Sequence, residues 1–246
     1  MVTLFLSDVH LDVPPHNQER MDVFIGFLRS LDTSRVTRIV LLGDLFDFWF
    51  EYKHVVFSGY FDVLRAFAEL RDLGVTFDLV GGNHDFWAGR FLEHRLAFTI
   101  HRRPVLMDFG GRRVLLCHGD GLNPRDVGYR VYKWIARTRL VIGAFRLIHP
   151  DWAMALARLV SRGSRELSRV ADPTKGAEAA ALRTYARRVL AEGTADVVMC
   201  GHAHSPAMEE YPAPCGKGLY INTGDWLYHR SYVEWDGTDF HLRDAR

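Results

Sequence analysis

Five short motifs concentrate the side chains that bind divalent cations: Asp8-Val9-His10, Gly43-Asp44-Leu45-Phe46-Asp47, Gly82-Asn83-His84-Asp85, His118-Gly119-Asp120 and Gly201-His202-Ala203-His204. The first four directly follow apolar runs of strand character. Their side chains therefore emerge at the carboxyl ends of strands, where open α/β sheets bind ligands. As donors, Asp8, His10 and His204 suffice for one cation, and Asn83, His118 and His202 for a second. The two carboxylate oxygens of Asp44 bridge such a pair, setting the ions about 3.5–4 Å apart. Two aspartates neutralise only half the charge of two dications, and the remaining positive charge favours a phosphate or pyrophosphate. Four imidazoles favour Mn²⁺, Fe²⁺, Zn²⁺ or Co²⁺ over Mg²⁺, which prefers an oxygen shell. A lone Asp-x-His or His-x-His is ordinary surface or core chemistry; five motifs in this order are not.

Glycines flank the donors at Gly43, Gly82, Gly119 and Gly201, as expected where a chain turns sharply out of a strand. Asp47, Asp85 and Asp120 stand where second carboxylates orient ligating histidines.

The elements that must position these residues alternate. Val2–Leu6 reads as a strand, 17–31 as an amphipathic helix, Val36–Leu42 as a buried strand, Gly59–Leu73 as a helix and Val75–Val80 as a strand. This is an α/β pattern. Beyond Pro104 it becomes β-rich: a hairpin of Val105–Phe109 and Arg112–Cys117, strands Asp196–Cys200 and Leu219–Thr223, and a hairpin of Tyr232–Trp235 with Thr238–Leu242. Between these, Arg125 to about Arg169 reads as two helices broken at His149-Pro150, because proline is not accommodated inside a helix. The expectation is one domain over 1–246 with a helical cap inserted at about 125–170.

Composition agrees with a soluble globular protein: 246 residues, 48% hydrophobic and 25% charged, enough for a sizeable core. Three widely spaced cysteines, Cys117, Cys200 and Cys215, offer no disulfide framework and point to a reducing compartment. The N-terminus lacks a basic start and a long apolar stretch, so no signal peptide is expected and the protein is read as cytoplasmic. Net charge is +1, but unevenly spread. Arg125–Lys175 holds eleven basic residues against four acidic ones, a net of +7, which leaves −6 for the rest. A basic block of this kind suits a local anionic partner.

The ordered motif set resembles the calcineurin-like metallophosphoesterase superfamily over Leu4 to about Asp225. The resemblance implies a sandwich of two mixed β-sheets flanked by helices, with two divalent ions, Mn²⁺ first among them, at one sheet edge. It also implies in-line attack on phosphorus by a hydroxide bridging the ions, with His84, beside the asparagine ligand, assisting the leaving group. Ser7–Leu11, Gly43–Asp47, Gly82–Phe86, His118–Leu122 followed by Asp126 and Tyr129, and Asn222–Trp226 are similar to one branch, the UDP-2,3-diacylglucosamine diphosphatases of lipid A synthesis. Members of that branch carry a helical cap, enclosing two acyl chains, where this chain has its basic, apolar helices. Some carry arginine at the position of His84, and here the chain departs from them. The resemblance assigns substrate contacts to Asn83, to Asp126 and Tyr129 at the cap base, and to Ser164 and Arg165. It implies a nucleotide-lipid substrate and no protein partner. The cap arginines suit transient contact with the inner membrane surface, and no nucleic acid partner is expected because so short a chain offers no separate basic DNA-binding domain. Two other readings compete: a metallophosphoesterase of cyclic nucleotides, dinucleotide polyphosphates or phosphomonoesters, and, ranked last because every donor position is filled, a non-catalytic scaffold.

Overall fold

A computed structural model describes residues 1–13, 18–123, 127–156, 159, 173–214 and 216–245. Eleven strands form two sheets. The first runs in the order β11(Phe240–Asp244), β10(Ser231–Trp235), β1(Val2–Leu6), β2(Val36–Leu41), β3(Thr76–Val80), β4(Phe98–His101). The second runs β5(Val105–Phe109), β6(Arg112–Leu116), β7(Val197–Cys200), β9(Gly216–Asn222), β8(Ala207–Ala213). β1 to β4 are mutually parallel, as are β6, β7 and β9, while β10, β11, β5 and β8 add antiparallel margins.

Side-chain alternation explains the layering. Phe5, Val40, Leu42, Val114, Leu116, Val197, Met199 and Ile221 point between the sheets and form one core. The intervening residues Leu4, Leu6, Ile39 and Leu41 face outward onto α1(Gln18–Ser30) and α2(Phe61–Asp72), through Phe24, Leu28, Val63 and Phe67. On the far side Val198 and Cys200 face the long helix Pro173–Ala191, through Leu182, Ala186 and Leu190. Strands buried on both faces read as continuous apolar runs, which is why β1, β2 and β7 were legible. The expected sandwich of two mixed sheets with flanking helices is what forms.

Several elements lie outside the sequence reading: α3(Arg90–Leu96), β4, β8 and the long helix Pro173–Ala191. β8 shows regular half-exposed alternation, and its Pro212 sits on an edge strand, where no ladder hydrogen bond is lost. The cap also differs in detail. Its first helix ends at Ala136 and a second runs from Arg139 to Phe145, giving α4(Val127–Ala136) and α5(Arg139–Phe145). The break has a local cause: the Thr138 hydroxyl accepts from Val141 N and caps the second helix. Residues 150–156 are helical again after His149, so that break falls where proline places it. Among the described residues no helix is long and apolar enough to cross a membrane.

Candidate active site

All five motifs leave the carboxyl ends of parallel strands: β1 and β2 and β3 in one sheet, β6 and β7 in the other. The segments beyond β1 and β2 stay zipped together, with Asp8 N donating to Gly43 O at 3.1 Å and His10 N to Asp44 O at 3.0 Å. The motifs therefore meet where the two sheets share an edge.

The backbone there is unusual. Asp8, His10, Asp44, His202 and His204 all have φ between 50° and 65°, the left-handed region. Such a conformation costs a non-glycine residue about 1–3 kcal/mol and is held only where its surroundings over-determine it. Only two other described non-glycine residues, Ala97 and Arg230, share it. Close approach completes the arrangement. A Cβ on Gly82 would lie 2.7 Å from Asp44 N, and one on Gly201 would lie 2.6 Å from Ser7 Cβ, so both positions need a bare backbone.

The structure brings all seven proposed donors and His84 together. His204 Nε2 lies 3.2 Å and His10 Nε2 3.7 Å from Asp8 Oδ1, and the two imidazole nitrogens are 3.3 Å apart. On the other side, His118 Nε2 lies 3.0 Å from Asn83 Oδ1, and the His202 ring centroid is 5.0 Å from that of His118. Asp44 Oδ2 stands between, 3.8 Å from His10 Nε2 and 3.3 Å from His118 Nε2. His84 Nε2 faces the same oxygen at 3.9 Å.

Each ring is oriented by its other nitrogen. Asp47 holds His10 Nδ1 at 3.1 Å, the Leu42 carbonyl holds His118 Nδ1 at 2.7 Å, and the Asp47 carbonyl holds His84 Nδ1 at 2.7 Å. Of the three carboxylates expected to orient ligating histidines, only Asp47 does so. Asp85 accepts instead from the backbone of Gly82 and Leu45, tying the β2 and β3 motifs together.

The buried aspartates and histidines at this edge shift one another's ionisation. Burial opposes ionisation of Asp8 and Asp44, yet neighbouring histidines outweigh it: His204 foremost for Asp8, and His118 for Asp44. Both carboxyls lie below the usual range. Burial would lower His10, but Asp47, Asp8 and Asp44 lift it to about 10, and Asp44 lifts His118. His202 goes the other way, to about 4, because burial and the charge on His118 disfavour its protonation. Burial and the neighbouring Asp44 push Asp85 up to about 6.

The donor set fits divalent cations on a direct observation. Asp8 Oδ1 is buried without a hydrogen-bond partner while two imidazole nitrogens converge on it. An orphaned buried carboxylate oxygen is costly unless something positive reaches it.

The cap base is joined to this edge. Tyr129 donates its hydroxyl to Asp120 Oδ2 at 2.7 Å, and Lys133 Nζ lies 2.6 Å from the same oxygen and 3.0 Å from the Asp120 carbonyl. Tyr129, expected to contact substrate, thus has its hydroxyl on Asp120, and its phenol is pushed up by burial and that carboxylate. Asp126, Ser164 and Arg165 lie outside the described residues. Lys133→Met is expected to lower stability by about 1–3 kcal/mol, because the buried Asp120 loses its charged partner. Denaturant melts check this, and an unchanged midpoint would show that Tyr129 alone satisfies Asp120.

Four contributors escaped the sequence reading. Ser7 bonds both Asp8 and Thr223, closing β1 onto the end of β9. Glu178 on the long helix comes within 3.9 Å of His202 Nε2 and accepts from Asn123. Lys133 and Arg137 belong to the cap base. Only Ser7, next to a donor, carried a local signal. His229, outside the donor motifs, bonds the buried Asp225 at 2.5 Å. Cys117 and Cys200 are buried core residues with sulfurs 3.5 Å apart.

Comparison with known proteins agrees with this geometry. A family model described as calcineurin-like phosphoesterase matches residues 1–206. The chain is 30% identical over 245 residues to a UDP-2,3-diacylglucosamine hydrolase of Azotobacter vinelandii, covering 98% of each chain. It is 30% identical over 257 residues to a protein of that name from Porphyromonas gingivalis, covering 97% of this chain and 95% of the other. With the Aeromonas salmonicida protein of the same name it shares 31% over 243 residues, covering 95% and 89%.

Proposed function

The chain belongs to the calcineurin-like phosphoesterase family, and from that premise we propose that it hydrolyses the pyrophosphate of UDP-2,3-diacylglucosamine to UMP and 2,3-diacylglucosamine 1-phosphate. Asp8, His10 and His204 on one side, Asn83, His118 and His202 on the other, and Asp44 between them would hold two divalent cations, with Mn²⁺ the first choice. Bound there, the ions lower the pKa of water toward neutrality and offset charge on the phosphoryl oxygens. The chain's own part is preorganisation. Left-handed backbone at five donors fixes their directions in advance, and Asp47 and the Leu42 carbonyl lock two of the rings. With Nδ1 engaged by the Asp47 carbonyl, His84 directs Nε2 toward Asp44 and gives its proton there to the leaving phosphate oxygen.

The observation that carries the lipid substrate is the cap. Among the described residues, nine of the seventeen exposed large apolar side chains fall between Val127 and Leu159, so exposed apolar surface is concentrated in this one stretch of the chain. Trp134, Leu140, Leu147, Trp152 and Leu159 are 70–88% exposed. Part of the cap's apolar content is packing: Phe145 sits 4.7 Å from Phe50 and 4.8 Å from Trp87, and Tyr52 donates to the Ile148 carbonyl. Met154 also joins the main core, while the side chains that stay exposed, Trp134, Leu140, Leu147 and Leu159 among them, suit acyl chains. Interspersed Arg130, Arg139 and Arg146 suit anionic headgroups, so the enzyme would work in transient contact with the cytoplasmic face of the inner membrane.

Polar replacement of Val131, Ile135 or Leu159 is expected to raise KM for the diacyl substrate about tenfold, since each buried methylene contributes about 0.8 kcal/mol. Hydrolysis of a small chromogenic phosphodiester should change less than about twofold in the same variants, with circular dichroism confirming folding. Equal effects on both substrates would reduce the cap to a packing element. Faster turnover of cyclic nucleotides or dinucleotide polyphosphates by the Mn²⁺-loaded wild type would replace this reading with a small-substrate phosphoesterase.

A further inference from the structure

Arg137 ends the first cap helix in an unusual state. Its Nε is buried without a hydrogen-bond partner, and among the described residues its guanidinium forms no ion pair. Lys133, one turn earlier, is held by Asp120, whereas among the described residues Arg137 meets an aromatic face, its Cζ lying 5.4 Å from the Phe86 ring centroid. Among the described residues no hydrogen bond is made to the edge of the guanidinium, where its donors lie.

The position is fixed from two directions. Trp87 Nε1 donates to the Ala136 carbonyl at 3.0 Å, pinning the residue before Arg137 to the residue after Phe86. Phe86 itself stands two residues beyond His84, so the guanidinium is tied to the segment carrying the proposed proton donor. Its charge also reaches Tyr129, where it counters the upward push of burial and of Asp120. A partly buried cation without a counter-charge is costly, and planar guanidinium is the side chain best matched to phosphate oxygens.

We propose that Arg137 is a phosphate-binding residue of the active site, its guanidinium held on Phe86 so that its free donors receive a phosphoryl group of the substrate. This rests on the pyrophosphate reading above. It assigns the cap base a recognition role for the charged part of the substrate, separate from the apolar faces that suit acyl chains. The phosphate contacted belongs either to the uridylyl half or to the sugar half.

Calorimetric titration of the metal-loaded wild type and of Arg137→Gln with UMP and with glucosamine 1-phosphate separates the two. A charge-assisted contact of about 1.5–3 kcal/mol corresponds to a roughly 10–100-fold loss of affinity in the variant. Loss for UMP places the guanidinium on the uridylyl phosphate, and loss for glucosamine 1-phosphate on the sugar phosphate. Loss for both places it between them. Arg137→Lys should recover part of the affinity by keeping the charge without the fork. The melting temperature of Arg137→Gln should fall little, since among the described residues the guanidinium forms no ion pair and the loss is confined to its stacking on Phe86. Unchanged affinity for both ligands, or a loss accompanied by a lowered melting temperature and no recovery with lysine, overturns the assignment. Wild-type turnover of UDP-2,3-diacylglucosamine, measured alongside, keeps the two readings apart. Its absence removes the pyrophosphate reading, whereas normal turnover with unaltered ligand affinity in the variant removes Arg137 alone.

Discussion

Asp44→Asn is expected to purify with fewer than two metal equivalents and with no measurable hydrolysis of any phosphoester. Asp44 Oδ2 lies within 3.8 Å of His10 Nε2 and 3.3 Å of His118 Nε2, which belong to opposite halves of the proposed centre. Its other oxygen accepts from His84 N at 3.0 Å, so the same carboxylate also sets the loop bearing the proposed proton donor. Removing one oxygen's charge therefore weakens both cation positions, whereas removing a histidine weakens one. Loss of the ions removes the means of generating hydroxide near neutral pH, since free water ionises with a pKa of about 15.7. Asparagine keeps the size of the side chain and one acceptor oxygen, so the fold should survive where alanine leaves a cavity beside two histidines. Inductively coupled plasma mass spectrometry on the dialysed protein decides the matter. Two retained equivalents per chain would remove Asp44 from the bridging position.

The legibility of the site and the opacity of the cap have the same physical origin. The proposed donors occur singly or two residues apart, each motif following a parallel strand, and most of these strands are buried on both faces. Buried strands announce themselves as apolar runs, and the edge they share is dictated by topology. The left-handed backbone at Asp8, His10, Asp44, His202 and His204 had no such signature. Only the adjacent Gly43, Gly82 and Gly201 hinted that the chain turns tightly there. Asp85 and Asp120 were misread because spacing cannot separate a carboxylate that orients an imidazole from one that bonds backbone or bridges to a helix. Asp120 meets Tyr129 and Lys133 nine and thirteen residues on, through a loop whose path no local periodicity fixes. Thr138 was passed over for a like reason. A hydroxyl inside an apparent helix reads as tolerated until its bond to Val141 N shows that one helix has ended and another begun. Glu178 approaches His202 from a helix that follows the cap, so its relation to the site exists only in three dimensions.

His84→Ala is expected to keep the metal content of the wild type while turnover falls about 10²–10⁴-fold, the usual cost of removing a positioned acid. The geometry leaves two roles open for this side chain, and the measurement separates them. With His10 and Asp44 it forms one of the clusters able to hold a cation, its ring standing edge-on to His10 at 4.9 Å between centroids. Yet its side chain is 26% exposed, against 9% for His10 and 1% for His118, so it is the one of the three best placed to meet a substrate. The bond from Nδ1 to the Asp47 carbonyl makes that nitrogen the donor and leaves Nε2 as the exchanging position. A proton donor matters most when the departing oxygen is basic. The loss should therefore be large for a nucleotide diester with an alkyl-like or phosphate leaving group and shrink toward tenfold or less for a p-nitrophenyl ester, whose anion needs little help. A uniform loss across leaving groups would assign His84 to stabilising charge on the phosphoryl oxygens. A fall in bound metal comparable to that of the Asp44 variant would move it into the ligand set, and the proton would then have to come from another group.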